Sequence, residues 1–282
     1  MRYSKYMLLF LAATLAACDD DGISVSDPGP AALVRFINAV PDTGTVDLRF
    51  VDKVENLPTL QGVAFRGASG VFQRADPGSR SAVVFVNSTD VALTSTRLVE
   101  TSVDLTADTR YTLVYAGRAS GDQDQLAIVN EPAPPTPPAG QIAIKVLHAA
   151  VGTGAVDVYV APATSAANNA DPIANAVTVI RNVGYLAQSA YVNVPVRPTT
   201  GETLYQFAVT ATGSTTVLLS GRPNLPGASA TVSTTGPSPG VQIAGSVLTA
   251  LVLPGSVPGT RGSTTANQTP TVSLIIDKAL NP

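Results

Sequence analysis

The sequence has no tryptophan, a single cysteine and a single histidine, and only 13% of its residues are charged. Each shortage excludes a class of chemistry. One cysteine, Cys18, builds neither a disulfide nor a multi-thiolate metal site. One histidine, His148, means that any Ser-His-Asp triad would have to use it. Lysine occurs only at Lys5, Lys53, Lys145 and Lys278, the arginines are scattered, and the formal net charge is -3. No basic face for nucleic acid and no polybasic membrane patch is therefore expected. The G-x-S-x-G elbow, the P-loop, H-E-x-x-H and a G-x-G-x-x-G after a strand are all missing, and the acids are too dispersed to nominate a glycosidase pair. The expectation is a non-catalytic protein with no catalytic residues, no metal and no cofactor.

The informative features begin at the N-terminus. Met1 to Tyr6 carries Arg2 and Lys5, and an apolar run follows from Met7 to Ala17. That is the layout of a secretion signal, and the run falls short of the ~20 apolar residues that a membrane span requires. Its end, Leu15-Ala16-Ala17-Cys18, resembles the lipobox of bacterial lipoproteins. The resemblance implies cleavage after Ala17 and acylation of Cys18, with the membrane as partner. A buried free thiol is the alternative, but Asp19-Asp20-Asp21-Gly22 offers no core around it. Each buried acyl methylene contributes roughly 0.8 kcal/mol, so two or more chains make a durable anchor. An acid directly after the cysteine resembles an inner-membrane retention signal, whereas a run of acids resembles a surface-export signal. Inner or outer membrane, and periplasm or cell surface, therefore stay open within the cell envelope.

Beyond the tether, 18–30, the chain is rich in Val, Thr, Ser and Ala, with 23 glycines and 22 prolines. This is strand-and-turn composition, poor in helix formers. An internal repeat gives the organisation. Val34-Arg35-Phe36-Ile37-Asn38-Ala39 lines up with Ile144-Lys145-Val146-Leu147-His148-Ala149, and Thr43-Gly44-Thr45-Val46-Asp47-Leu48 with Thr153-Gly154-Ala155-Val156-Asp157-Val158 at the same offset. Further on, Val63-Ala64-Phe65 matches Val183-Gly184-Tyr185. Between the copies Glu131 to Gly140 contains five prolines, read as a semi-rigid extended spacer. The expected organisation is a signal (1–17), a tether (18–30), a first repeat (31–130), a linker (131–140) and a second repeat (141–282).

Short β runs separated by turn residues fill both copies: Leu33–Asn38, Thr45–Val51, Ser81–Asn87, Arg110–Ala116 and Leu126–Val129, then Ile142–His148, Ala155–Ala161, Ala190–Val194, Leu204–Ala211, Thr215–Ser220, Val241–Leu253 and Thr271–Asp277. This spacing indicates an all-β sandwich or barrel. In Ala155 to Val160 the valines alternate with Asp157 and Tyr159, which predicts one core face and one wet face.

The stretches VRFINAVPDTGTVDLRF and IKVLHAAVGTGAVDVYV resemble the opening of domain-of-unknown-function family 4397. The resemblance implies two tandem immunoglobulin-like or transthyretin-like β-sandwich domains in a secreted or envelope protein, with no agreed activity. The family's usual histidine is Asn38 in the first copy and His148 in the second, and its Pro-Asp pair survives only as Pro41-Asp42. A catalytic duty shared by His and Asn is hard to assign, and such side chains at strand ends commonly bond turn backbone.

The candidate binding residues are Asp47 and Asp157, equivalent in the two copies, with His148, Tyr185 and Tyr191. A shared acid suits a ligand site or a bond to a neighbouring loop. Arg66, Tyr185 and Tyr191 suit a small aromatic patch. Asp122 and Asp124 have the spacing of cation ligands, with a polar turn as the alternative. The functional expectation is a binding or adhesion module for a glycan or an envelope protein. A passive spacer in an envelope assembly is the alternative, and a hydrolase the less favoured one.

Overall fold

A computed structural model describes residues 29–70, 72–229 and 237–280. Cys18, the signal and nearly all of the tether lie outside these residues. The first half forms β1 (Ala32–Asn38), β2 (Val46–Phe50), β3 (Gln73–Ala75), β4 (Gly78–Val86), β5 (Arg97–Leu105), β6 (Arg110–Ala116) and β7 (Gln125–Glu131). The second forms β8 (Gln141–His148), β9 (Val156–Ala163), β10 (Thr178–Val183), β11 (Val192–Pro195), β12 (Leu204–Ala211), β13 (Val217–Gly221), β14 (Val247–Leu253) and β15 (Thr271–Lys278). The protein is all-β, and among the described residues no helix is long and apolar enough to cross a membrane.

The described residues form four sheets, ordered β2-β4-β5, β3-β1-β6-β7, β11-β8-β14-β15 and β10-β9-β12-β13. They stack as four layers around three apolar cores. In the first half, Leu48, Val84 and Val103 meet Val34, Phe36 and Leu113. In the second, Ile144, Val146 and Leu248 meet Val158, Phe207 and Val209. Each half is thus a sandwich of two sheets. The third core joins the halves, with Ile37, Val114 and Val129 packed on Leu147 and Leu251. In both halves the first strand runs parallel to the later one beside it, β1 with β6 and β8 with β14.

This stacking corrects two expectations. The inner strands of the middle sheets are buried on both faces, as in β8 and β14, because one face meets its own sandwich and the other meets the opposite half. On β9 the expected wet face is covered too, with Asp157 and Tyr159 buried beside the valines. Glu131, assigned from sequence to the spacer, is instead the last residue of β7 and has a side chain only 2% exposed. It sits in a buried polar cluster on the joint. Arg35 donates to Asp277 at 2.8 Å, to Glu131 at 3.0 Å and to Thr112 at 3.2 Å. Lys145 donates to Glu131 and to Gln188. The cluster obeys the repeat: Arg35 and Lys145 are equivalent, as are Thr112 and Thr249, and Glu131 and Asp277.

The halves differ at one outer edge. In the second, β10 pairs antiparallel with β9, matching Thr178 to Val160 and Ile180 to Val158. In the first, the corresponding chain makes only a bridge from Val63 to Val46 and a short 3-10 turn, Pro58–Leu60. Pro58 has no amide to donate to a strand beside β2.

Candidate functional site

The repeated polar residues hold turns. Asn38 Nδ2 donates to Gly44 O at 3.0 Å and to Val63 O at 3.1 Å, while its Oδ1 accepts the Val40 amide at 3.3 Å. His148 does the same in the other half: Nδ1 accepts the Ala150 amide at 3.3 Å and Nε2 lies 3.1 Å from Gly154 O. Burial pushes the imidazole's pKa down, opposing the bonds to Gly154 and Thr153 that raise it. With Nδ1 accepting, the ring proton is on Nε2, where it donates. Thr153 Oγ1 is 3.2 Å from Nε2, which resembles a nucleophile beside a base. The hydroxyl, however, donates to Ala150 O at 2.7 Å, and the nitrogen facing it already carries a proton. The pair therefore cannot perform general-base chemistry.

Asp47 and Asp157 also hold loops. Asp47 accepts from the Gly62 amide at 2.7 Å, Asn87 at 2.8 Å and Arg49 at 2.5 Å. Asp157 accepts from the amides of Asn182 at 2.8 Å and Gly213 at 3.1 Å, and from Arg181 at 3.3 Å. Burial alone would raise the Asp157 pKa, but these donors bring it below the usual carboxylate range.

Tyr185, Tyr191 and Arg66 do not form a patch. Tyr185 packs against the core between the halves and sets its ring edgewise to His148, 5.9 Å between centroids. Tyr191 donates to Asp277 at 3.0 Å, inside the buried polar cluster. Arg66 reaches across to the second half and donates to Pro254 O at 2.9 and 2.7 Å. Asp124 accepts from Tyr115 at 2.5 Å, and among the described residues no group of His, Cys, Asp and Glu is placed to hold a metal ion.

What the structure assembles instead is a cleft of about 230 Å³ where the loops of both halves meet. Pro41 and its equivalent Val151 line it, as do Arg118 and its equivalent Gly255. Pro254 and Pro270 add apolar wall, and Thr153 and Gln268 add polar atoms. The walls are pinned across the joint: the Val257 amide donates to Pro41 O at 3.0 Å, and Arg261 to Asn87 O at 2.7 Å. Arg118 is held by its backbone. Asp42 accepts the next two amides, Ala119 at 2.9 Å and Ser120 at 2.8 Å. Burial pushes the Asp42 pKa up, but these bonds bring it below its usual value. Gly117, at φ 102°, stands where a Cβ would lie 2.2 Å from Gln123 O. Sequence reasoning misses this cleft. Pro41-Asp42 stands out only as a family remnant, and Arg118 lies in a Gly-Arg-Ala-Ser-Gly run with no recognisable motif.

No curated protein matches the sequence. Among solved structures, a streptococcal virulence factor described for alpha-glucan binding is 13% identical, with 68% of this chain and 87% of that one covered and a TM-score of 0.19. Family 41 carbohydrate-binding modules from streptococcal virulence factors, described for alpha-glucan recognition, are 9% identical over 86% and 97% of the two chains, with a TM-score of 0.23. Scores this low support no inference about ligands. Residues 32–159, from the start of β1 into β9, match the family model described as Domain of unknown function (DUF4397), the family that the opening motif resembles.

Proposed function

We propose that the protein is a non-catalytic binding or adhesion module of the bacterial cell envelope, lipid-anchored through Cys18, which takes a glycan in the cleft between its two halves. The observation that carries this reading is the cleft itself, built from loops of both halves and fixed by bonds across the joint. Loops on a rigid β scaffold are a recurrent way to hold recognition residues. A passive spacer needs no such convergence, and end-to-end sandwiches would give more reach than sheets packed face to face. An envelope protein rather than a glycan as ligand is an outcome of the test.

The test is a glycan array probed with the full chain and with Val151→Trp, which places a large ring in the cleft. Binding that disappears in the variant supports the reading. A chain that binds no glycan, yet crosslinks on intact cells to one envelope protein through the cleft loops, replaces the glycan by that protein. Absence of both overturns the reading.

A further inference from the structure

The cleft is lined by equivalent positions of the two halves, yet it is not symmetric in charge. Arg118 lines one side, and the equivalent position on the other side is Gly255. A Cβ at Gly255 would stand 2.0 Å from Gln268 O, so no second arginine fits there. Arg118 is the one charged residue among those lining the cleft, and its exposed guanidinium has no hydrogen-bond or ion-pair partner among the described residues. The neighbouring acid, Asp42, has both oxygens engaged by the Ala119 and Ser120 amides. The cleft thus presents a free planar cation opposite bare backbone, within an acidic protein.

Building on the proposed function, we infer that the ligand is a carboxylated sugar, its carboxylate on the Arg118 guanidinium. A guanidinium matches a carboxylate with two parallel donors. Thr153 donates its proton to Ala150 O and faces the protonated His148 Nε2, which leaves its oxygen one lone pair to accept from a sugar hydroxyl. Gln268 supplies both a donor and an acceptor. Pro41, Pro254 and Pro270 offer C–H surface to a ring face. At about 230 Å³ the space falls below the ~300–1,000 Å³ of sites for drug-sized ligands, which suits a single ring or the end of a chain. Nothing in the lining is an open strand edge, so an extended peptide has no backbone to pair with.

The experiment is calorimetric titration of the full chain with a galacturonate oligosaccharide, the matching neutral galactose oligosaccharide and a glutamate-rich peptide. The acidic sugar should bind, more weakly as salt rises. Arg118→Gln, at an exposed position that keeps the melting temperature unchanged, should weaken binding at least tenfold, and Arg118→Lys should restore part of it. Equal binding of the neutral sugar, unchanged in Arg118→Gln, would overturn the carboxylate and leave the cleft as a glycan site. Equal binding of the peptide would overturn the sugar. If no sugar binds and Val151→Trp changes nothing, the proposed function fails with it.

Discussion

At the scale of single residues, the exchange of Asn38 for His148 has a geometric explanation. Both side chains close the turn after the first strand of their half by accepting one amide and donating to an equivalent carbonyl, Gly44 O or Gly154 O, with a second bond from Asn38 to Val63 O, and either residue type can do so with a neutral side chain. The two differ in acid. Burial lowers the His148 pKa, so below about pH 6.5, the ordinary histidine value, the unfolded chain binds a proton that the folded chain does not. Stability from this group is therefore complete above the unfolded pKa and is lost as pH falls toward the folded one. The slope is at most about 1.4 kcal/mol per pH unit. His148→Asn should keep the fold at pH 7.5 and lose less stability than the parent between pH 6.5 and 5. Denaturant melts at the two pH values measure this, and equal losses would show that His148 does not titrate between the states.

At the scale of elements, the strands with β-branched alternation were legible, and β6 and β12 have the limits that their residues suggest. Those missed are instructive. The outer strand β5 reads Arg-Leu-Val-Glu-Thr-Ser-Val-Asp-Leu, with four of its nine residues exposed and three of those charged, so its pattern is diluted. The short β10 follows a long polar loop and includes Asn182 at φ 53°, which interrupts the period. The cleft was illegible for another reason: its residues come from four loops that approach only when the halves pack, and spacing along the chain carries no trace of that. The asymmetry beside β2 gives a test of the strand assignment. In an antiparallel ladder alternate residues point their backbone groups to opposite neighbours. Leu48 and Phe50 point theirs away from β4, and among the described residues nothing pairs there, whereas β10 pairs with the equivalent Val158 and Val160. Amide exchange followed by NMR should be at least tenfold faster at Leu48 and Phe50 than at Val158 and Val160. Equal protection would mean that the segment after Val51 pairs with β2 as a strand.

At the scale of the molecule, the joint between the two halves is both apolar and charged. Arg35 and Lys145 face Glu131 and Asp277, with side chains 2% exposed or less. Tyr191, Thr249 and Thr112 satisfy remaining lone pairs. Burial alone would raise the Glu131 pKa, yet Lys145 and Arg35 hold it below the usual carboxylate value. Its contribution is thus present above the unfolded carboxylate pKa and lost as pH falls through the folded one. Removing one member of such a set leaves a buried charge uncompensated, at a cost of about 3–5 kcal/mol, whereas replacing the whole set with apolar residues is often neutral. Glu131→Gln should therefore lower the melting temperature and split a single calorimetric transition into two, as the halves uncouple. Replacing Arg35, Lys145, Glu131 and Asp277 together by Met and Leu should restore one transition. If Glu131→Gln unfolds in one step at the parent temperature, the charge cluster does not hold the halves together, and the cleft has to owe its shape to the apolar contacts of Ile37, Val114, Leu147 and Leu251 alone.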